Sequence, residues 1–202
     1  GNLKFNIVNN PFIKAKGINV VNIFAFPNSN FEGRVNNNTI TLNGGGSGAG
    51  VRVNSQGNAN SKIEIKNNTI TGGDDYGITA IASGGSGRLD ATITGNTVSL
   101  TNSGFYGIHT AAGVSSSTFT NKVCANVANN NTNGVPAPAF AIGHFQARAA
   151  TATHEILLQG PGPNVATNWS SNTNTPIPGT TSQSGAGVFT FGATCLLPTN
   201  PM

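Results

Sequence analysis

Two adjacent carboxylates are the first residues with chemical potential in a chain that has only six acidic residues and three histidines. Asp74 and Asp75 lie in the stretch GGDDYG, residues 72–77. Neighbouring carboxyl groups can divide the general acid and general base work of glycoside hydrolysis. Aspartates between glycines are also typical of an exposed turn, because both residue types adopt turn conformations readily. The sequence favours the turn.

A second candidate group combines basic and acidic residues. Arg88 lies two residues before Asp90, and His109 follows in the stretch YGIHT. A polysaccharide lyase needs acids that hold Ca²⁺ and a base that removes a sugar proton. No three acids converge at one position of the chain's repeat, and His109, His144 and His154 share no metal-ligand spacing. If the chain is an enzyme, the expected catalytic residues are Asp74, Asp75, Arg88, Asp90 and His109. The sequence indicates no metal and no cofactor.

Composition narrows the class of protein. Only 8% of the 202 residues are charged, and the net charge is +4. Basic residues form no cluster and do not interleave with aromatic residues, which argues against nucleic-acid binding. No apolar run reaches the roughly 18 residues of a membrane-spanning helix. Short alternating stretches such as KIEIK (62–66) and TITL (39–42), bounded by Gly, Asn and Ser, predict an all-β chain of short strands.

The short strands recur at an even spacing. The pattern Asn-Thr-(Ile/Val)-(Thr/Ser) appears in NNNTIT, KNNTIT and TGNTVS. Aligning these copies places Asn10, Asn38, Asn68 and Asn96 in one column, with Lys122 in the fifth place, at spacings of 26–30 residues. A repeat of about 30 residues that holds three short strands describes one coil of a β-solenoid. We therefore expect about 4–5 stacked coils.

Apolar residues flank the asparagine column at constant offsets. They lie three positions before it, from Ile7 to Phe119, and two positions after it, from Phe12 to Cys124. Such columns are expected to face a common core, because one coil alone cannot bury its own apolar edge. The asparagines are then expected at a bend, where their amides form a hydrogen-bonded ladder along the stack.

The repeats resemble those of the right-handed parallel β-helix proteins of the pectate-lyase-like superfamily. The resemblance rests on NNTIT and GNTVS segments, each preceded by an apolar strand and followed by YGI or a similar stretch, and it covers residues 1–134. It implies a right-handed parallel β-helix. It does not imply one activity, since lyases, hydrolases, phage tailspikes and adhesins share these repeats.

The catalytic segments of one group in that superfamily are absent here. Asp74 and Asp75 resemble the Asp-Asp segment of polygalacturonases. The Asn-Thr-Asp segment of those enzymes corresponds to Asn68, Thr69 and Ile70, which puts an apolar residue where the enzymes have a carboxylate. No Gly-His-Gly or Arg-Ile-Lys segment follows. The resemblance therefore supports the fold more than a hydrolase activity.

The repeat ends at Gly134, and the remainder contains several prolines. Residues 135–202 are expected to cap the solenoid, because an uncovered last coil presents an open strand edge. Strand-like pieces lie near 140–148 and 154–158. This region resembles the C-terminal end of large bacterial secreted β-strand-repeat proteins, which implies that Cys124 pairs with Cys195. A surface rich in Ser, Thr and Asn points the same way, since exported proteins form disulfides; two unrelated buried thiols are the alternative.

Threonines that flank the inward residues form a possible binding face. Strand alternation points them outward, about 7 Å apart along each strand and about 4.8 Å apart between coils. Such a hydroxyl grid resembles the Thr-x-Thr arrays of β-helical ice-binding proteins, although Thr is also simply a good strand residue. The predicted face contains Thr39, Thr41, Thr69, Thr71, Thr97 and Ser99.

The function we expect is structural or adhesive and non-enzymatic. The chain is interpreted as the C-terminal part of a larger secreted or cell-surface protein, located outside the cell. The open first coil, residues 3–8, is expected to stack on other coils, so self-assembly into filaments or matrix is a prediction. Expected partners are copies of itself or extracellular carbohydrate, without nucleic acid or a membrane span. A β-helix lyase or glycoside hydrolase is the alternative, and ice binding is a lesser one.

Overall fold

The computed structural model describes residues 1–43, 48–73, 75–101, 105–113, 119–146, 154–159, 174–175, 181–184 and 187–199. Eighteen β-strands and no helix occur in these ranges. The strands form three sheets, which we name for the side chains on their outer faces. The charged sheet contains β1 (Asn2–Val8), β4 (Asn30–Asn36), β7 (Asn60–Lys66), β10 (Arg88–Thr94), β13 (Lys122–Ala128), β16 (Glu155–Gln159) and β18 (Val188–Ala193). The threonine sheet contains β2 (Ile13–Ala15), β5 (Thr39–Leu42), β8 (Thr69–Gly72), β11 (Thr97–Ser99) and β14 (Asn131–Gly134). The aromatic sheet contains β3 (Asn19–Ala25), β6 (Ala49–Gln56), β9 (Tyr76–Ser83), β12 (Tyr106–Ala112), β15 (Phe140–Gln146) and β17 (Thr181–Ser184).

Every pair of neighbouring strands in the three sheets is parallel. Each strand inside a sheet pairs with its equivalents in the coils before and after it, and the strands at the sheet ends pair with one neighbour. The chain therefore winds as a parallel β-solenoid of about five turns, and the predicted all-β solenoid is confirmed. Within the described ranges, no helix is long and apolar enough to cross a membrane.

Columns of aliphatic side chains fill the interior of the solenoid. Within each column the residues are register partners in successive coils, and all of them are buried. A single coil has too few apolar residues to make a core, so stacking is what removes these side chains from water. The columns are Val35, Ile65, Ile93 and Val127 on the charged sheet, Ile40, Ile70 and Val98 on the threonine sheet, and Ile78, Ile108 and Ile142 on the aromatic sheet.

An asparagine ladder follows the bend between the charged sheet and the threonine sheet. The backbone N–H and the Nδ2 of Asn10 donate to the Oδ1 of Asn38, at 3.0 and 2.8 Å. The Nδ2 of Asn38 also donates to the carbonyl of Ile7 at 2.8 Å. Each amide thus satisfies backbone groups that the bend removes from the strand-to-strand pattern. The rungs are Asn10, Asn38, Asn68, Asn96, Asn130 and Asn174.

The left-handed backbone at this bend belongs to the residue before each rung. Asn9, Asn37, Asn67 and Asn129 have φ of 54–58°, and Gly95 takes the same place at 69°. Asparagine enters this conformation more readily than other residues with a side chain. The sequence interpretation assigns both roles to one column, whereas the structure divides them. The first residue of the doublet turns the chain and the second forms the ladder.

The predicted alignment is wrong in the fifth coil. The ladder spacing there is 34 residues, from Asn96 to Asn130, and Lys122 instead begins β13. The connection between β12 and β13 comprises residues 113–121, while residues 84–87 connect β9 to β10. An alignment that assumes a constant period does not allow for the extra residues of the longer connection. It therefore places the fifth asparagine position too early in the sequence, at Lys122.

Three predicted core positions change with the correct register. Cys124 pairs with Asp90 on the charged sheet and does not continue the column of Ile70 and Val98. Ile13, not Phe12, pairs with Ile40, and Phe12 is 68% exposed. Val127, not Phe119, occupies the core column of the charged sheet in the fifth coil. At Phe12 and Phe119 the prediction selected an apolar residue close in sequence, because hydrophobicity alone does not distinguish neighbours at a bend.

The chain after Gly134 adds strands to the existing sheets. β15 pairs with β12, β16 with β13, and β18 with β16, all in parallel. The strand predictions near 140–148 and 154–158 are therefore confirmed by β15 and β16, while residues 147 and 148 lie outside the described residues. The role of residues 135–202 as a cap stays a prediction. Residues 194–199 leave the sheets and cross the outer face of the charged sheet.

Candidate functional site

Two rows of hydroxyl side chains lie on the outer face of the threonine sheet. The members of each row are register partners in three successive coils. One row is exposed and the other is half-buried. In the half-buried row the hydroxyls of Thr41 and Thr71 are 3.2 Å apart and hydrogen-bonded. The exposed row is Thr39, Thr69 and Thr97, and the half-buried row is Thr41, Thr71 and Ser99.

The hydroxyl rows end after three coils. Lys14 of the first coil is the register partner of Thr41, and Gly134 of the fifth coil is the register partner of Ser99. An open depression of about 680 Å³ adjoins the half-buried row, with Lys16 and Thr71 among the residues that line it. The face therefore offers hydroxyl donors and acceptors with two lysines at one end.

Ion pairs link successive coils on the charged sheet. Glu32 and Lys62 are register partners with an Oε1–Nζ distance of 2.8 Å. Arg34 and Glu64 are partners in the next row, at 3.5 Å. Both pairs are partly buried, and each joins opposite charges across one coil spacing. These contacts favour the observed register, since a slip of one residue along the strand would move the side chains to the other face.

Arg88 and Asp90 form an ion pair on the same sheet. The guanidinium donates from Nε at 2.9 Å and from Nη2 at 2.7 Å to the two carboxylate oxygens. Asp90 is buried, and its Oδ1 also accepts the backbone N–H of Leu196 at 2.9 Å. Both oxygens of this carboxylate are therefore engaged within the chain. Bidentate pairing of this kind fixes geometry as well as charge.

The predicted disulfide between Cys124 and Cys195 is confirmed. Cys124 lies on β13 beside Asp90 and alternates with the core residues Val123 and Ala125, so it faces the outer side of the charged sheet, where it is fully buried. The bond closes a sequence separation of 71 residues. It attaches the start of the C-terminal segment 194–199 to the fifth coil. We call this segment the strap.

The strap extends from the disulfide back to the first coil. The Nη2 of Arg34 donates to the carbonyl of Pro198 at 2.9 Å. The backbone N–H of Thr199 donates to Oε2 of Glu32 at 3.1 Å, and the Nζ of Lys4 donates to the Thr199 hydroxyl at 3.2 Å. The strap therefore covers charged residues from several coils and ties the fifth coil to the first.

The carboxylate of Glu32 carries the strap's last contacts. Its hydrogen bond from Lys62, followed by those from the hydroxyl and backbone N–H of Thr199, lowers the pKa of Glu32 from 4.5 to about 2. Each of these donors favours the charged form. At neutral pH this end of the strap is thus held by an ionised carboxylate.

The charged sheet also contains the one group of three metal-capable side chains found among the described residues. The ligand atoms of Asp90, Cys124 and Cys195 lie within 4.8 Å of one another. The two sulfurs are bonded to each other, and the carboxylate is paired with Arg88. This donor set does not fit a metal ion, because a thiolate ligand requires a free sulfur.

Aromatic rings stack along the aromatic sheet. The ring centroids of Tyr76 and Tyr106 are 6.0 Å apart, and those of Tyr106 and Phe140 are 5.6 Å apart, with interplanar angles of 19° and 23°. Phe105 also stacks on Tyr76, at 5.9 Å. The stack begins at the third coil, because the register partner of Tyr76 in the second coil is Ala49.

His109 packs against this stack and is buried. Its ring lies 4.7 Å from that of Tyr106, and its Nδ1 is 3.0 Å from the hydroxyl of Thr79. Burial lowers the pKa of His109 from 6.5 to about 4, so the imidazole is neutral at pH 7. A buried neutral imidazole with a hydroxyl partner is well suited to packing.

The structure divides the predicted catalytic residues between two sheets. His109 lies on β12 of the aromatic sheet, and Asp75 directly precedes β9 of that sheet, where its backbone carbonyl accepts the N–H groups of Phe105 and Tyr106 at 2.9 and 3.0 Å. Arg88 and Asp90 belong to the charged sheet. Asp74 lies outside the described residues. The four described residues therefore do not form one neighbourhood.

Sequence reasoning missed three features of the candidate surfaces. Asn130 and Asn174 continue the ladder, and the doublet at 129–130 was a usable signal for the first of them. The contacts of the strap had no local signal, since they join residues more than 100 positions apart. The recess beside Tyr76 and Arg52 also had no local signal in the sequence, because it arises where the aromatic stack ends.

No protein-family model matches the sequence, and neither a curated protein nor a solved structure matches it. The assignment of the fold as a parallel solenoid therefore rests on the strand pairing alone. Membership of the pectate-lyase-like superfamily, and the resemblance of the C-terminal region to secreted repeat proteins, stay predictions.

Proposed function

We propose that the chain is a non-enzymatic, extracellular β-solenoid that acts as a rigid scaffold and adheres to carbohydrate through its uncovered faces. The observation that carries the proposal is the placement of the candidate groups. Arg88 and Asp90 are paired with each other beneath the strap, and His109 is buried in an aromatic stack. The hydroxyl rows, by contrast, remain accessible on a regular face.

Rigidity is supported by contacts between neighbouring coils. The asparagine ladder and the aliphatic columns recur from coil to coil, and ion pairs add links between β4 and β7 and between β13 and β16. The disulfide and the strap add a covalent and a polar link over longer range. A scaffold of this kind presents side chains at the spacing of parallel strands, about 4.8 Å, and many weak contacts at such a spacing add up.

Self-assembly is the finer part of the proposal. Among the described strands β1 pairs with β4 alone, so its other edge is open there. Leu3, Phe12 and Ile18 in the first coil are more than half exposed. An open parallel edge with exposed apolar residues favours stacking on a further coil.

Binding without turnover is the test of the proposal. The purified chain would be passed over immobilised polygalacturonate, alginate and an uncharged glucan, and the same polymers would be assayed in solution for reducing and unsaturated ends. We expect saturable binding to at least one polymer and no increase in ends. Absence of binding to all three, together with a monomeric chain at high concentration, would contradict the proposal.

A carbohydrate-active enzyme is the second candidate, favoured by one observation. Asp75 lines a recess of about 230 Å³ together with Arg52 and Tyr76, so a carboxylate and a cation share one concave site. If new ends appear in the assay and Asp75→Asn abolishes them, while Asp90→Asn does not, the enzyme reading replaces the scaffold.

A further inference from the structure

The aromatic stack ends next to an empty space of the size of one ring. All ring partners of Tyr76 among the described residues come from the fourth coil, namely Phe105, Tyr106 and His109. On the side of the second coil its register partner is Ala49, which has no ring. The recess of about 230 Å³ lies there, lined by Tyr76 and Ala49.

Small residues keep this space open. A side chain on Gly48 would clash with the backbone of Ile18 in the first coil, so this position has to be glycine. The N–H of Ala49 donates to the Ile18 carbonyl at 2.9 Å and to the Asn19 side chain at 3.0 Å. The floor of the recess is therefore fixed by backbone contacts, and the space is preformed.

The rim of the recess carries polar groups of both charges. Arg52 and Asp75 line it, with the hydroxyl of Thr79 and the amide of Asn19 nearby. Arg52 lies in β6, and its side chain forms no hydrogen bond or ion pair with another residue in the described ranges. One cation and one anion give the rim no net charge while supplying both donors and acceptors.

We propose that this recess binds one neutral hexopyranose unit, whose ring completes the stack on the open side of Tyr76. A pyranose combines an apolar C–H face with a rim of hydroxyls, which matches an aromatic face beside Arg52 and Asp75. The volume lies below the range of roughly 300–1,000 Å³ typical of pockets for larger ligands, so a single ring is the fitting unit. The inference rests on the proposed carbohydrate adhesion and assigns it a site.

The experiment uses the full chain with glucose, galactose and mannose, and phenol as an aromatic comparison. Saturation-transfer NMR measures contact between protein and ligand protons, and a titration measures affinity. We expect saturable binding of at least one hexose, with the strongest transfer to the C–H protons of one ring face. Ala49→Phe would fill the space with a protein ring and is expected to weaken that binding at least about tenfold.

Two further variants make the result decisive. Tyr76→Leu removes the platform and is expected to weaken hexose binding about tenfold even if Ala49→Phe fails to fold. Tyr106→Phe, inside the stack, is the matched control and should leave binding unchanged. Hexose binding that survives both Tyr76→Leu and Ala49→Phe overturns the site, as does binding of phenol alone or of none of the probes.

The outcomes separate this inference from the proposed function. If polymer adhesion persists in Ala49→Phe and Tyr76→Leu at wild-type affinity, the recess is not the site and the adhesive function stands. If adhesion to every polymer is also absent from the wild-type chain, both fail.

Discussion

The outer faces of the charged sheet and the threonine sheet belong to the same coils but differ in their covering. On the charged sheet, Glu32, Arg34 and Asp90 bind the strap. On the threonine sheet, Thr39, Thr69 and Thr97 remain exposed. Both faces have the same parallel register and the same coil spacing, so the difference arises from side chains and not from the backbone.

The difference shows where the few charges of this chain are used. Only 8% of residues are charged, and the charged sheet uses its carboxylates in ion pairs and in contacts with the strap. These residues stabilise the fold. The proposed carbohydrate contacts are therefore assigned to the uncovered faces, through hydroxyls or through the aromatic recess.

Removing the disulfide should have the largest effect on the difference in covering between the charged sheet and the threonine sheet. For a separation of 71 residues, loss of the cross-link in Cys124→Ala with Cys195→Ala is expected to lower the free energy of unfolding by about 4 kcal/mol. Urea denaturation measures the change, and reduction of the wild-type chain provides the control. Amide hydrogen exchange should rise most in 195–199, beyond the general rise that the lower global stability produces in β5 and β8. Unchanged protection of the strap would show that its polar contacts suffice.

Asp90→Ala should have the next largest effect. It leaves the Arg88 guanidinium and the Leu196 N–H without their acceptor, and loss of hydrogen bonds to a charged group costs about 2 kcal/mol. Glu64→Gln is the matched control, because Glu64 is also a paired carboxylate of this sheet but forms no hydrogen bond with the strap in the described ranges. We expect the control to cost less than about 1 kcal/mol. Equal costs for the two variants would argue against a special role for the strap.

Acid should release the far end of the strap. The folded pKa of Glu32 is about 2, below its ordinary value of 4.5. Its stabilising contribution is therefore complete above pH 4.5 and is lost as the pH falls towards 2. The amide signal of Thr199 in an NMR titration should move with a midpoint near pH 2, the folded pKa of Glu32, and Glu32→Gln should abolish the movement. A midpoint near 4.5 in the wild-type chain would show that the contact is weak.

Thr69→Val on the open face should have the smallest effect on stability. The side chain is exposed, and surface substitutions change the free energy of unfolding by about 0.5 kcal/mol or less. Thermal unfolding checks this, with Asn68→Ala as the contrasting neighbour. Asn68 is a buried rung that accepts from Asn38 and donates to Val35, so its loss is expected to cost about 2–3 kcal/mol. A large cost for Thr69→Val would mean that the face is packed and not open.

Local patterns in the sequence predicted the parts of this fold that repeat. Asn38 and Ile40 each lie next to the equivalent residues of the neighbouring coils. Residues that recur at a constant spacing in the sequence therefore form a column in the structure. Prediction failed where the repeat changes length, as at Lys122, and where contacts are specific to one coil. The strap is the clearest case, because Thr199 and Glu32 are 167 residues apart. No local preference of either residue indicates that contact.

The most direct test of the account is to measure binding and turnover on the same sample. The wild-type chain would be incubated with each immobilised polysaccharide, and the bound protein and the released sugar ends would be quantified together. We predict saturable binding without any ends above those of a protein-free control. Ends that accumulate with time, and that disappear in Asp75→Asn, would contradict the account.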